Sequence, residues 1–234
     1  MRSLTVLFVV AALLTPCSAR AQRIVDGVLV LDSKPVPLPG GPWRVLHLAA
    51  EPGRSREGSL PTTTHRAVLV QEHGGRAAAV VIASAATEVG AVWNPHGICT
   101  NPAAIQRENV QALRGLLDCR GLVVIGSGRG PNTPAYLDSL YDEGQRRPGW
   151  IPPNWLSAQF VLSEGMHYLI VEYRFAPGVF APAAARGETW NEGARSPARE
   201  ELVQRLAAFS AEARNALRQT LHGRAPSAPL PFPF

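Results

Sequence analysis

The chain has 234 residues, 46% of them hydrophobic and 18% charged, with 21 Gly, 21 Pro and a formal net charge of +5. That apolar content is ordinary for a packed core and excludes a wholly disordered chain. The basic residues stand singly, at Arg44, Arg54, Arg76, Arg114 and Arg129 among others, which excludes the clustered stripe that nucleic acid requires.

Met1-Arg2 gives a short positive start, Leu4 to Leu14 is apolar apart from Thr5, and Ala19-Arg20-Ala21 is a small-x-small site. This order predicts a signal peptide over 1–21, cut between Ala21 and Gln22, because the apolar run is too short for a mature membrane span. Leu14-Thr15-Pro16-Cys17 has the outline of a lipobox, but Pro16 replaces the small flexible residue expected before Cys17, so lipidation is the lesser reading. Lys34 is the one lysine among 23 basic residues, a bias that points to a GC-rich bacterial genome and hence to the periplasm. No later segment is apolar enough to cross a bilayer. Cleavage leaves Cys99 and Cys119, and two thiols in an oxidising compartment are expected to pair. Two free buried thiols, or a metal site using His96, Cys99 and Cys119, are the alternatives; no fourth ligand is evident.

Residues 24–31 read as a strand, 33–42 as a Pro-rich entry loop, 43–49 as a strand and 50–64 as a loop. A hairpin follows, from Ala67–Glu72 through His73-Gly74-Gly75 to Arg76–Ala85, with glycines at the turn. Ile105, Val110, Leu113, Leu116 and Leu117 predict a helix over 103–118, narrowed to about 104–114 if Cys99 and Cys119 are to meet, because a straight 16-residue helix is about 24 Å long. Leu122–Ile125 reads as a buried strand, and Thr133-Pro134 opens a second helix. A second hairpin joins Trp155–Leu162 to Met166–Phe175 across Ser163-Glu164-Gly165. Ser196, Pro197 and Gly223 bracket the clearest helix, whose stripe of Leu202, Leu206, Phe209, Ala213 and Leu217 is expected to pack on the sheet. Residues 225–234, APSAPLPFPF, read as an extended or disordered Pro-rich tail.

These elements predict an α+β fold: a mostly antiparallel sheet built on two hairpins, with about three helices packed on it, in one domain over 22–224. A β-sandwich or half-barrel is the runner-up. Chemical motifs are weak. Gly126-Ser127-Gly128-Arg129-Gly130 sits where a phosphate cradle belongs, but Pro131 and the missing lysine depart from both phosphate-binding patterns, which favours a plain turn. The six histidines show no metal-ligand spacing and read as surface or core residues. Glu72 and His73 are neighbours on a strand and point to opposite faces, so they do not form an acid–base pair. Trp150 and Trp155 around Pro152-Pro153 read as loop anchors rather than a sugar or peptide groove.

The layout resembles uncharacterised exported proteins of GC-rich proteobacteria, a group with no established activity. The likeness rests on Pro37–Trp43, Val68–Arg76, Cys99–Asn101, Cys119 and Trp150–Pro152. It implies a single co-evolved domain and transfers no catalytic residue. The expectation is an exported, non-enzymatic protein that binds a partner or small ligand, with no cofactor. A hydrolase using Ser127, Arg129, His96 or Glu108 near the 126–130 loop is one alternative. An envelope-associated protein docking a protein partner through its 197–222 helix is the other.

Overall fold

The computed structural model describes residues 23–54, 61–88, 93–182, 190 and 195–234. The expected signal peptide, with Cys17 and the Ala21–Gln22 junction, lies outside these described residues. Among the described residues ten strands are present: β1 (Ile24–Val25), β2 (Val28–Leu31), β3 (Lys34–Pro37), β4 (Trp43–Arg54), β5 (Pro61–His73), β6 (Arg76–Thr87), β7 (Gln106–Leu113), β8 (Leu116–Gly126), β9 (Asn154–Glu164) and β10 (His167–Phe175). Three helices accompany them among the described residues: α1 (Asp138–Arg146), α2 (Pro177–Phe180) and α3 (Pro197–Thr220). Eight strands form one antiparallel sheet in the order β1-β4-β5-β6-β10-β9-β8-β7, and β2 pairs with β3 in a separate hairpin. The fold is α+β, as the sequence predicts.

Strand alternation decides what each face of the sheet buries. Ala83 and Ala85 of β6, Leu169 and Val171 of β10, and Phe160 and Leu162 of β9 share one face with the hairpin residues Leu29, Leu31 and Val36. Helix α3 lays Leu202, Leu206, Phe209, Ala213 and Leu217 onto this face. Ser196 caps it by accepting from the Arg199 amide, and Pro197 occupies its first turn. Asp118 of β8 anchors it further, taking two bonds from Arg214 at 2.6 Å each. The opposite face carries two clusters. Val68, Val80, Ile82 and Trp155 lie under α1 and Trp150, while Val123, Val161 and Tyr168 lie under the segment that brings in Ile98 and Cys99. Both faces of β6 are therefore covered, which is why its sequence, AAAVVIA, does not alternate with polar residues.

Several sequence expectations are corrected. Residues 103–118 hold no helix: β7 and β8 form a hairpin there, turning at Arg114-Gly115, where Gly115 has φ of 79°. The three- and four-residue apolar spacing misleads because Val110 sits at a bulge and Leu113 at an exposed strand end, 49% and 67% exposed respectively. Leu116, Leu117 and Leu122–Ile125 belong to one long strand, β8. The helix expected at Thr133-Pro134 starts later, because Pro134 is extended with ψ of 140° and a short 3-10 turn precedes α1. The 24–31 strand is broken at Gly27, and β3 occupies part of the expected entry loop. Strands β4 and β5 run well into the expected 50–64 loop. The 225–234 segment is extended and packed: Leu230 is buried and bridges Pro39 in parallel.

Candidate functional site

Titratable side chains from separate elements converge at the end of the α3-covered face where β6 finishes and β10 begins. Lys34, the first residue of β3, is 1% exposed. Its Nζ donates to Asp32 Oδ2 at 2.8 Å and to Thr87 Oγ1 at 2.5 Å, and the Thr87 hydroxyl donates to the same Asp32 oxygen at 2.6 Å. The three groups form a closed triangle. Its apex is the two-residue turn Asp32-Ser33 between β2 and β3, with φ of 45° and 63°. Positive φ at both positions suits the twist of a tight hairpin, but for residues with a Cβ it costs about 1 kcal/mol or more each. The end of α3 closes against this turn. A Cβ at Gly223 would lie 3.1 Å from the Ser33 carbonyl oxygen, and Gly223 itself has φ of 81°.

Three histidines surround the triangle. His65 of β5 places Nε2 3.9 Å from Asp32 Oδ1. His167 of β10 pairs across the sheet with Thr87 and meets the edge of His222 with ring centroids 4.9 Å apart. His222, just past α3, has Nε2 3.1 Å from Glu164 Oε2. Burial would raise the Asp32 carboxyl, but bonds from Lys34 and Thr87 outweigh it and hold the group below the usual carboxylate range. Burial, then the charge of Lys34 and the neighbouring His222, push His167 below its ordinary value. Glu88, whose amide bonds the Met166 carbonyl beside this site, is raised by burial.

Asp32 accepts the Thr87 hydroxyl hydrogen bond on the same oxygen that takes the bond from Lys34. The Lys34 ammonium is tied to that carboxylate and acts as a fixed donor. Among the described residues, no group of three or more His, Cys, Asp or Glu side chains is placed to hold a metal ion. Asp32, His65, His222 and Glu164 keep 23%, 33%, 39% and 60% of their side-chain surface, so a polar ligand can reach the rim of the cluster.

The residues singled out in the sequence lie elsewhere. Cys99 and Cys119 stand at disulfide distance, with sulfurs 2.16 Å and Cα atoms 5.2 Å apart. They meet because Cys99 closes a short 3-10 turn over the inner face of the β7–β8 hairpin. Gly121 permits that approach: a Cβ there would come within 2.6 Å of the Gln106 carbonyl oxygen and 2.7 Å of Ile98. His96 is engaged with the hydroxyl of Tyr168, a phenol that burial pushes up and on which Trp93 stacks at 4.1 Å. Ser127 and Arg129 line an open cleft of about 410 Å³ with Tyr141 and Ile151, whereas Glu108 lines a different one with Arg120 and Ser210. The 126–130 loop uses its own amides, Ser127 bonding the Pro153 carbonyl and Gly130 the Thr133 hydroxyl, and Arg129 pairs with Asp138. Glu72 is clamped by Arg147 and Arg44, whose hydrogen bonds hold its carboxyl at about 2, against burial. Trp150 and Trp155 are core residues, as the anchor reading expects, and the apolar stripe of α3 is buried within the chain.

Sequence reasoning missed the Lys34 cluster because its members are separated by up to 190 positions and share no spacing. The one local oddity in the sequence is Lys34 itself, the single lysine among 23 basic residues. Among the described residues no helix is long and apolar enough to cross a membrane. No family model, curated protein or solved structure matches the chain.

Proposed function

We propose that this is an exported protein that works by binding a partner or small ligand at the Lys34–histidine end of its sheet. The observation that carries the reading is the assembly of Asp32, Lys34, His65, Thr87, His167 and His222 from separate elements around a strained turn. Desolvated charge and strained backbone concentrate at functional sites, where the surrounding fold holds them in place. The N-terminal pattern of Leu4–Leu14 followed by Ala19-Arg20-Ala21 supports export, and the Cys99–Cys119 pair is compatible with an extracytoplasmic setting.

Two measurements test the two halves of the proposal. Expression in a Gram-negative host, followed by fractionation and N-terminal sequencing, should give a periplasmic chain beginning at Gln22. Uncut protein in the cytoplasm would sink the export half. Native mass spectrometry of the chain isolated from its own periplasm should show a non-covalent bound mass that is lost from the His65→Ala/Thr87→Val variant. An unliganded mass, or equal occupancy in the variant, would sink the binding half.

A further inference from the structure

Residues 229–234 sit on the fold in the manner of a bound peptide. Proline alternates there with Leu230, Phe232 and Phe234. The alternation sorts the side chains over its first part, where Leu230 is buried and Pro229 and Pro231 stay exposed, and Phe232, Pro233 and Phe234 are all half-buried. Proline has no amide proton, so the segment offers few backbone donors, and its pairing with the body of the chain is one parallel bridge from Leu230 to Pro39. Rings do most of the seating. Phe232 meets Phe175 at 5.5 Å and Phe180 at 5.2 Å, and Phe234 meets them at 5.5 and 5.4 Å. Beside Phe232 a cleft of about 290 Å³ remains open, walled by Pro42, Gln71, His73, Ala78 and Phe180. The segment does not fill its own groove. A pre-extended, proline-alternating peptide loses little freedom on docking, which is the basis on which aromatic-walled grooves recognise such peptides.

We infer that the Phe175–Phe180 groove is a peptide-binding site for extended segments alternating proline with aromatic or large aliphatic residues, and that residues 229–234 occupy it in cis. The occupant in trans is a peptide of the same chemistry on another protein. At the position of Phe232 it carries a larger ring with a polar N–H edge, because the open cleft presents Glu72 and His73 beside Gln71, whose amide is already bonded to the Gly40 carbonyl. The groove lies at the opposite end of β10 from His167, and it is independent of the reading given for the Lys34 cluster.

Fluorescence anisotropy with a labelled synthetic peptide of residues 225–234 tests the inference. Three proteins are compared: the full chain, the chain truncated after Arg224, and the full chain carrying Phe232→Ala and Phe234→Ala, which serves if truncation prevents folding. Circular dichroism establishes that each is folded. The truncated and substituted chains should bind saturably, the full chain at least tenfold more weakly, and Phe180→Ala in either loosened background should abolish binding. A peptide with tryptophan at position 232 should bind severalfold more tightly. The inference is overturned if the folded, loosened chains do not bind, if the full chain binds equally well, or if the tryptophan peptide binds more weakly. A concentration-dependent dimer that exchanges the segment between copies would overturn it as well, by making a second copy the occupant.

Discussion

Glu172–Arg174 and Asp32–Lys34 are both ion pairs drawn largely out of water, one on each face of the same sheet, and both join residues two apart in sequence. Glu172 accepts from Arg174 Nε at 2.9 Å, Ser157 at 2.9 Å and Gln159 at 3.0 Å, and its second oxygen accepts from Arg174 Nη2 at 3.0 Å. All these partners lie on β9 and β10, directly opposite one another in register, Glu172 facing Gln159 and Arg174 facing Ser157. The regular ladder alone brings them together. Asp32 and Lys34 instead straddle a turn with two positive φ angles, and their third partner, Thr87, comes from the other sheet. The hydrogen bonds between the members of the first pair, and those Glu172 takes from Ser157 and Gln159, lie within two neighbouring strands, with Tyr141 of α1 as a further neighbour of Arg174. The second exists only when a hairpin, a sheet end and the end of α3 close on one another, and its rim keeps contact with solvent. Asp32 keeps 23% of its side-chain surface against 13% for Glu172, so the carboxylate of the second pair is the more open of the two to solvent.

That difference has a stability signature. Burial alone would raise the Glu172 carboxyl, but Arg174, Gln159 and Ser157 hold it below the usual range. Glu172→Gln leaves the Arg174 cation desolvated without its counter-charge, and should cost about 3 kcal/mol or more in urea unfolding. Lys34→Met should cost less, about 2 kcal/mol, because Asp32 is partly exposed and can recover hydration. If Lys34→Met proves as damaging as Glu172→Gln, the two pairs are equally structural and the comparison fails.

The regular pair was the more legible of the two in sequence. Both central hairpins announce themselves through glycine turns, but the expected loop Ser163-Glu164-Gly165 is three residues long. The chain instead turns on Gly165-Met166 and pairs Glu164 with His167, and this tighter turn is what sets Glu172 beside Gln159 and Arg174 beside Ser157. Helix α3 was equally plain, because Ser196, Pro197 and Gly223 each act locally. The β7–β8 hairpin was not. Its apolar residues follow helical spacing by coincidence: β7 is a sheet edge, exposed almost throughout, and so carries no core-facing alternation. The requirement that Cys99 and Cys119 meet did conflict with a full-length helix there, and a hairpin removes the conflict by setting Cys119 on the inner strand. The Lys34 site depends on how the small hairpin docks, which no local pattern records.

The strained turn offers a change of opposite sign. Ser33 at φ of 63° can be replaced by glycine without the Cβ penalty. Some of that gain is offset by the greater freedom of glycine in the unfolded chain. Ser33→Gly should therefore raise stability by about 0.5 kcal/mol, read from the urea midpoint. It should also reduce occupancy of the bound mass proposed above, since a relaxed turn holds Asp32 less firmly. Lower stability after this change would show that the turn is not strained in the way its dihedrals imply.

The smallest expected effect is a pH slope that separates the two faces. His167 is held below its ordinary value of 6.5, first by burial and then by Lys34 and His222, with Asp32 and Glu164 acting in the other direction. In the unfolded chain it titrates near 6.5, so just below that pH the unfolded state binds more protons than the native one. Stability then rises with pH, or, read the other way, is lost as pH falls from 6.5 through the lower native value. The Glu172 carboxyl is depressed from a starting value of 4.5, so the stability it contributes is lost only at more acid pH, below about 4.5. Urea midpoints measured at pH 7 and pH 5 should therefore differ in the unsubstituted chain, and the difference should shrink in His167→Gln. The change should be well under about 1 kcal/mol, because the ring is only partly buried and solvent screens its neighbours. Glu172→Gln should keep the full difference between pH 7 and pH 5 despite its larger overall cost. An undiminished slope in His167→Gln would show that this partly buried ring does not carry the proton uptake, and His167 would no longer distinguish this face from the other.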